Sequence, residues 1–189
     1  MTRFAPFARL LRRFRDRTSG SMVVESIFAI PMLALGMTGF FTFWDVYRSQ
    51  NMVQKATYAV ADMLSREMIP ATPAFITGLE STLEFLIRED ATIRVTSVRR
   101  TSDGPLGLLG LDVLWSFSPG NQLVPLTEAT LTEVLEEMPM MAVGSNVVVF
   151  EVTVPFAPLT DILDVNSIRE VVAMRPRFLP ALCMQGVSC

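Results

Sequence analysis

Glu25 stands out among the residues whose chemistry and position point to a role. It lies five residues after Gly20 and directly before an uncharged run from Ser26 to Trp44. An acid in the first turn of a helix interacts favourably with the helix dipole, by about 0.3–1 kcal/mol. An acid at the membrane edge also costs little compared with about 2.5–3.5 kcal/mol at the bilayer centre. Glu25 therefore has either a plain interfacial role or a specific one.

The rest of the sequence disfavours catalysis. The chain contains no histidine, the commonest general acid and base. It has no Gly-x-Ser-x-Gly elbow, no Ser-x-x-Lys motif and no phosphate-binding loop. The acidic pairs Glu89-Asp90 and Glu136-Glu137 are typical of solvated helix ends. We expect a protein that is not an enzyme and has no cofactor.

The two cysteines, Cys183 and Cys189, both lie close to the last residue of the sequence. In an oxidising compartment this spacing favours a small disulfide loop, and the alternative is a pair of unpaired thiols. Two thiolates without histidine do not complete a four-ligand zinc site, so we expect no metal.

The uncharged run from Ser26 to Trp44 predicts a membrane span. As a helix it covers about 28 Å, close to the ~30 Å hydrocarbon core of a bilayer. The run is too long for the apolar core of a secretory signal, and it ends in aromatic residues rather than a small-residue cleavage site. Such aromatics suit the far membrane interface. We therefore expect the segment to remain as an anchor in membrane lipid.

Charge predicts the orientation of this span. Residues 1–20 hold six arginines and one acidic residue, whereas the whole chain has a net charge of −3. The positive-inside rule places the N-terminus in the cytoplasm and the acidic remainder outside it. The remainder has no basic patch with interleaved aromatics, so nucleic-acid binding is not expected.

The helix is expected to continue beyond the span. Residues 22–69 have helical patterning, and Pro70 and Pro73 predict its end. A break near the membrane interface, giving two helices, is the alternative. Apolar residues at a spacing of about seven make a stripe that favours packing against the protein's own domain. The stripe is Val46, Val53, Ala56, Val60, Met63 and Leu64.

The remaining sequence predicts a small α+β layout. Strands two and three are expected to pair in an antiparallel sheet that packs against the long helix. This gives a leader over 1–20, a transmembrane and extended helix over 21–69, and an α+β domain over 70–189. The expected elements are a helix at 75–88, strands at 91–99, 111–118 and 146–155, turns at 103–105 and 119–121, a helix at 127–138, and a short helix within 159–174.

The N-terminal arrangement resembles a known signal. A basic leader ends in Gly20, four residues follow, and then come Glu25, an apolar stretch and Pro31. This looks like the class III signal of type IV pilins and pseudopilins, and it is most similar to the TadE/TadF-like pseudopilins of tight-adherence (Flp pilus) systems. The segments 154–159 and 175–177 also resemble C-terminal parts of this group. The resemblance is good over residues 12–70.

The resemblance implies specific roles. A prepilin peptidase would cut between Gly20 and Ser21, and Glu25, the fifth residue of the mature chain, would serve in assembly. The implied fold is pilin-like, in the inner membrane with a periplasmic domain. The implied partners are the peptidase, other pilins or pseudopilins and the inner-membrane assembly machine. We expect a minor pseudopilin or pilus-assembly protein; the alternative is an uncleaved single-span anchor with a periplasmic binding domain.

Overall fold

The computed structural model describes residues 15, 19–103, 109–158, 160 and 163–187. They form two compact units, one of residues 1–45 with 159–163 and the other of residues 46–158 with 164–189. In chain order the elements are α1 (Ser19–Ser65), α2 (Pro73–Ile87), β1 (Thr92–Asp103), β2 (Leu109–Phe117), short 3₁₀ turns at Pro119–Asn121 and Leu131–Val134, β3 (Asn146–Pro155) and β4 (Ser167–Met174).

Helix α1 dominates the first unit. It has 47 residues and passes through Pro31 without a break, so the alternative of two separate helices is wrong. It is the one described helix long and apolar enough to cross a membrane, and an 18-residue stretch within it has a mean hydropathy of 1.7. Its apolar side chains from Met22 to Trp44 are exposed, including Phe28, Leu33 and Phe40.

Helix α1 ends four residues earlier than the prolines predicted. The amides of Arg66 and Glu67 bond to carbonyls three residues back, which tightens the last turn. The Ser65 carbonyl, which a longer helix would use, accepts instead from the Arg177 amide at 2.8 Å. A tertiary hydrogen bond therefore competes with the next helical turn.

In the second unit, the predicted apolar stripe does pack against the protein's own domain. Val53, Ala56, Val60 and Leu64 are buried in one core with residues of α2 and the sheet. Met63, which is about half exposed, and the half-buried Val46 are not part of this core.

The sheet has four antiparallel strands in the order β2-β1-β3-β4. The expected pairing of strands two and three is wrong, because β1 lies between β2 and β3 and pairs with both. Strands that follow one another in sequence usually pair, and a short connection joins β1 to β2. Residues 104–108 of that connection, including most of the turn expected at 103–105, lie outside the described residues.

Both faces of the sheet are covered, which explains the continuous apolar run of β3. Val148, Phe150 and Val152 face the core that contains α1 and α2. Val147 and Val149 face a second apolar cluster that includes Leu126, Leu131 and Val134 from the segment before β3. A strand buried on both sides has apolar residues at successive positions rather than at alternate ones.

Helix α2 begins at Pro73, two residues before the predicted start. The Thr72 hydroxyl accepts a hydrogen bond from the Phe75 amide at 3.1 Å, and Pro73 occupies the first turn, where a missing amide costs nothing. At the other end Arg88 has φ 62° and its amide bonds to the Glu84 carbonyl. The helix therefore stops one residue earlier than expected.

Two predicted helices are wrong. In place of a helix at 127–138, Thr127 and Thr130 bond to each other's backbone and side chains, and only Leu131–Val134 form a 3₁₀ turn. Short hydroxyl side chains compete with helical hydrogen bonds in this way. In place of a helix within 159–174, Ser167–Met174 form β4 against β3, as its β-branched residues favour.

Residues that follow β4 close the second unit. Ala71 forms a parallel bridge with Met184: its amide donates to the Cys183 carbonyl at 2.8 Å, and its carbonyl accepts from the Gln185 amide at 2.9 Å. The indole of Trp115 donates to the Leu182 carbonyl at 2.7 Å.

Candidate functional site

The predicted cleavage position lies in the first turn of α1. Gly20 is exposed, and a Cβ added there would meet no atom within 4 Å. Glycine disfavours a helix by about 1 kcal/mol relative to alanine, so this turn unwinds at low cost. Ser21 is helical, and its side chain lies outside what the structure describes. The arginines at 3, 9, 12, 13 and 17 also lie outside the described residues.

Glu25 is one helical turn beyond Ser21 and is exposed. No hydrogen bond or ion pair joins its carboxylate to any described residue. The Ser26 hydroxyl next to it donates to the Met22 carbonyl at 2.8 Å, so that neighbour is satisfied within the helix. The carboxylate is therefore left available to a group that the described chain does not supply.

A shallow apolar groove runs along the same part of α1. Proline at position 31 has no amide to donate to the carbonyl four residues before it, which loosens the helical ladder at that turn. The groove is lined by Met22, Val23, Ser26, Ile27, Ile30 and Pro31. Glu25 is adjacent in sequence to this groove and is not among its lining residues.

A second candidate site is a cleft of about 670 Å³ on the sheet face that carries the second apolar cluster. On its floor, Nη2 of Arg94 lies 2.6 Å from Oε2 of Glu151. The other oxygen of Glu151 accepts from Nε of Arg169 at 2.8 Å. One buried carboxylate thus bridges two guanidinium groups.

Arg94 also contacts the segment before β3. Its Nη1 donates to the Val124 carbonyl at 2.6 Å, and Nη2 is 3.7 Å from Glu133. Arg169 is 40% exposed, with Nη1 4.0 Å from Glu137. Arg94 therefore holds the segment before β3 against the sheet. The exposed part of the Arg169 guanidinium remains accessible to a ligand in the cleft.

Sequence reasoning did not single out this charged cluster. The signal was present, because Arg94 and Glu151 each interrupt an apolar strand, in Ile-Arg-Val and Phe-Glu-Val. Charges in strands buried on both faces require partners, which predicts that they meet.

The cysteine prediction remains open. Cys183 is half-buried, and its carbonyl accepts the Ala71 amide. Cys189 lies outside the described residues, so its pairing with Cys183 stays a prediction. Among the residues that the structure describes, no group of three or more His, Cys, Asp or Glu side chains could hold a metal ion.

Comparisons with family models, curated proteins and solved structures find no match for this chain.

Proposed function

We propose that this chain is a minor pseudopilin or pilus-assembly protein of a tight-adherence (Flp) type system. It is inserted once in the inner membrane, with its N-terminus in the cytoplasm and its sheet domain in the periplasm. A prepilin peptidase cuts between Gly20 and Ser21. The observation that carries the proposal is Glu25, an exposed carboxylate without a described partner, five residues past a glycine on an apolar helix.

The apolar surface of α1 supports membrane insertion. Side chains such as Phe28, Leu33 and Phe40 are more than 60% exposed, and within the described chain nothing covers them. A contiguous apolar surface of this kind is uncommon on a soluble monomer and marks contact with lipid or with other apolar helices. In a pseudopilin, lipid covers the helix before assembly and neighbouring helices cover it afterwards.

Cleavage creates the cationic group with which the Glu25 carboxylate pairs. Hydrolysis of the Gly20–Ser21 peptide bond leaves a carboxylate on Gly20 and a cationic α-amino group on Ser21. In a bundle of parallel helices, the Glu25 carboxylate of one subunit pairs with that amine on a neighbour. An isolated ion in apolar surroundings is costly and a matched pair much less so, which makes the pair a device for register rather than for net stability.

An uncleaved anchor with a periplasmic binding domain is the second candidate. The cleft at Arg169 favours it, because that guanidinium keeps an exposed edge. The other charges of the cleft are satisfied by one another, which points to a role in holding the domain together.

The mass of the N-terminus in the natural host separates the two candidates. We expect a chain that begins at Ser21 when the peptidase is active. Gly20→Leu is expected to retain the full leader, because the larger side chain obstructs cleavage. Gly36→Leu is the matched control, since Gly36 is also an exposed glycine of α1 with open space around it. If the wild-type chain kept its full leader in a host with an active peptidase, the pseudopilin proposal would be wrong and the uncleaved anchor would be favoured.

A further inference from the structure

Thr42 is the one side chain of the uncharged run that the protein itself buries. It is 1% exposed, whereas its neighbours Phe41 and Phe43 are 51% and 62% exposed. Thr38, one turn earlier on the same side of α1, is half-buried. The chain therefore covers a narrow side of the helix at this level and leaves the rest of its circumference open.

The cover comes from Thr160, in the connection between β3 and β4. The hydroxyl oxygens of Thr42 and Thr160 are 2.9 Å apart. Thr42 donates its hydroxyl proton to the Thr38 carbonyl at 2.9 Å, so Thr160 is the donor in the pair. Two successive hydrogen bonds thus tie Thr160 to the backbone of α1.

This contact limits how far lipid can extend along α1. Thr160 lies outside the helices and strands of the described chain. Non-helical backbone facing lipid is excluded from the hydrocarbon layer, because its amides and carbonyls have no water to bond. The level of Thr42 therefore lies outside the hydrocarbon. Trp44 and Tyr47, exposed just beyond it, are side chains typical of the headgroup layer, which favours a position there.

We infer that the outer edge of the hydrocarbon lies at Thr42, with Thr160 among the lipid headgroups, and that hydrocarbon covers Met22 to Phe41. A helix needs about 20 residues to cross a core of about 30 Å, which sets the inner edge at Met22. The inference rests on the membrane insertion proposed above and is independent of leader cleavage. It moves the embedded window about four residues toward the N-terminus relative to the uncharged run.

The shift changes the surroundings of Glu25. With the span beginning at Ser26, the carboxylate lies outside the hydrocarbon. With the edge at Met22, the Glu25 backbone lies about 5 Å inside it. Helical side chains tilt toward the N-terminus, so the carboxylate either reaches back to the headgroups or meets a cation within the bilayer. The depth of Thr42 in the membrane therefore decides whether the Glu25 carboxylate lies at the level of the hydrocarbon, where it would need a cationic partner.

Depth-dependent fluorescence quenching tests the boundary. The full chain is reconstituted in phosphatidylcholine and phosphatidylglycerol vesicles (3:1) that carry bromines at shallow, intermediate or deep acyl positions. Met32→Trp and Leu35→Trp are compared, each combined with Trp44→Phe. Trp44→Phe alone gives the background from Trp115, which is buried in the sheet domain. Both tested positions are exposed on α1.

The inferred window has its midpoint next to Met32, and the uncharged run has its midpoint at Leu35. We expect the tryptophan at position 32 to lie about 5 Å closer to the bilayer centre than the one at position 35, and to be quenched more by the deepest bromines. The reverse order would overturn the boundary while leaving membrane insertion intact. Quenching at neither position above background would overturn insertion, and the boundary with it.

Discussion

Arg94 on β1 lies directly opposite Glu151 on β3, and both side chains are less than 10% exposed. Two guanidinium nitrogens of Arg94 contact the same carboxylate oxygen, at 2.6 and 2.8 Å. Arg169, two residues along β4 from the partner position, takes the other oxygen. The three side chains join β1, β3 and β4, so these charges couple three of the four strands.

Breaking this pair should destabilise the sheet domain more than removing it entirely. Arg94→Met is expected to lower the free energy of unfolding by about 3 kcal/mol, the lower end for breaking a buried ion pair, because Oε2 of Glu151 loses both contacts and only the partly exposed Arg169 still pairs with the carboxylate. Arg94→Met combined with Glu151→Leu should recover much of that loss. Urea unfolding of the full chain in detergent, followed by near-ultraviolet circular dichroism of Trp115, measures both. A double variant no more stable than Arg94→Met would contradict the explanation.

Ser97 and Ser118 are both buried but should respond oppositely to alanine. The Ser97 hydroxyl has no hydrogen-bond partner, whereas the Ser118 hydroxyl donates to the Ile93 carbonyl at 2.7 Å and accepts from the Leu123 amide at 3.2 Å. Ser97→Ala should raise the free energy of unfolding by about 1 kcal/mol, and Ser118→Ala should lower it by about 1–3 kcal/mol. The same urea experiment compares them, and equal effects would refute the assignment.

The buried carboxyl group of Glu80 should make the free energy of unfolding depend on pH. This carboxyl of α2 is 8% exposed, and its Oε1 is buried without a hydrogen-bond partner. Burial and then the neighbouring Glu84 raise the pKa of Glu80, while a hydrogen bond from the Ile93 amide opposes the rise. The folded state thus holds this proton more tightly than the unfolded state, so ionisation weakens folding. The penalty is absent below pH of about 4.5 and complete above the raised pKa.

Glu80→Gln should therefore be more stable than the wild-type chain at pH 7, and the advantage should vanish as the pH falls below about 4.5. Thermal unfolding at a series of pH values measures the difference. Glu89→Gln, at an exposed position near the end of the same helix, is the control. A stability difference between Glu80→Gln and wild type that does not change with pH would show that ionisation is not its cause.

Glu25→Ala and Glu25→Gln should separate insertion from assembly. Both variants are expected to enter the membrane and to be cleaved, because neither step needs the carboxylate. Incorporation into sheared pili should fall at least about tenfold, since an unpaired amine among apolar helices costs more than 1.4 kcal/mol. Asp45→Asn changes the first acid after the uncharged run and serves as the control. Normal incorporation of Glu25→Gln would exclude a charge-pairing role.

The sequence predicted elements well where one pattern acted alone. Strand β3 agrees with its predicted bounds, because strongly β-forming sequence begins just after a turn at Gly144 and ends at Pro155. The α1 stripe was recognisable for the same reason, since a spacing of about seven indicates one buried side. The α+β class follows from these two elements.

Prediction failed where distant residues compete with local patterns. The amide of Arg177 takes a carbonyl at the end of α1, so the prolines did not set the helix end. Ser167–Met174 lies in a segment predicted as a helix, and its pairing with β3, a distant part of the sequence, makes it a strand. The charged cleft depends on three strands meeting, and no local sequence window contains Arg94, Glu151 and Arg169 together.

The bridge between Ala71 and Met184 has a consequence for the timing of folding. A ribosome synthesises residues 182–185 after all four strands, yet they satisfy both backbone groups of Ala71 and the indole of Trp115. Before these residues are synthesised, the strands can pair, but the backbone groups of Ala71, just before α2, lack these hydrogen bonds. The hydrogen bonds to Ala71 and Trp115 can therefore form only after all four strands have been synthesised.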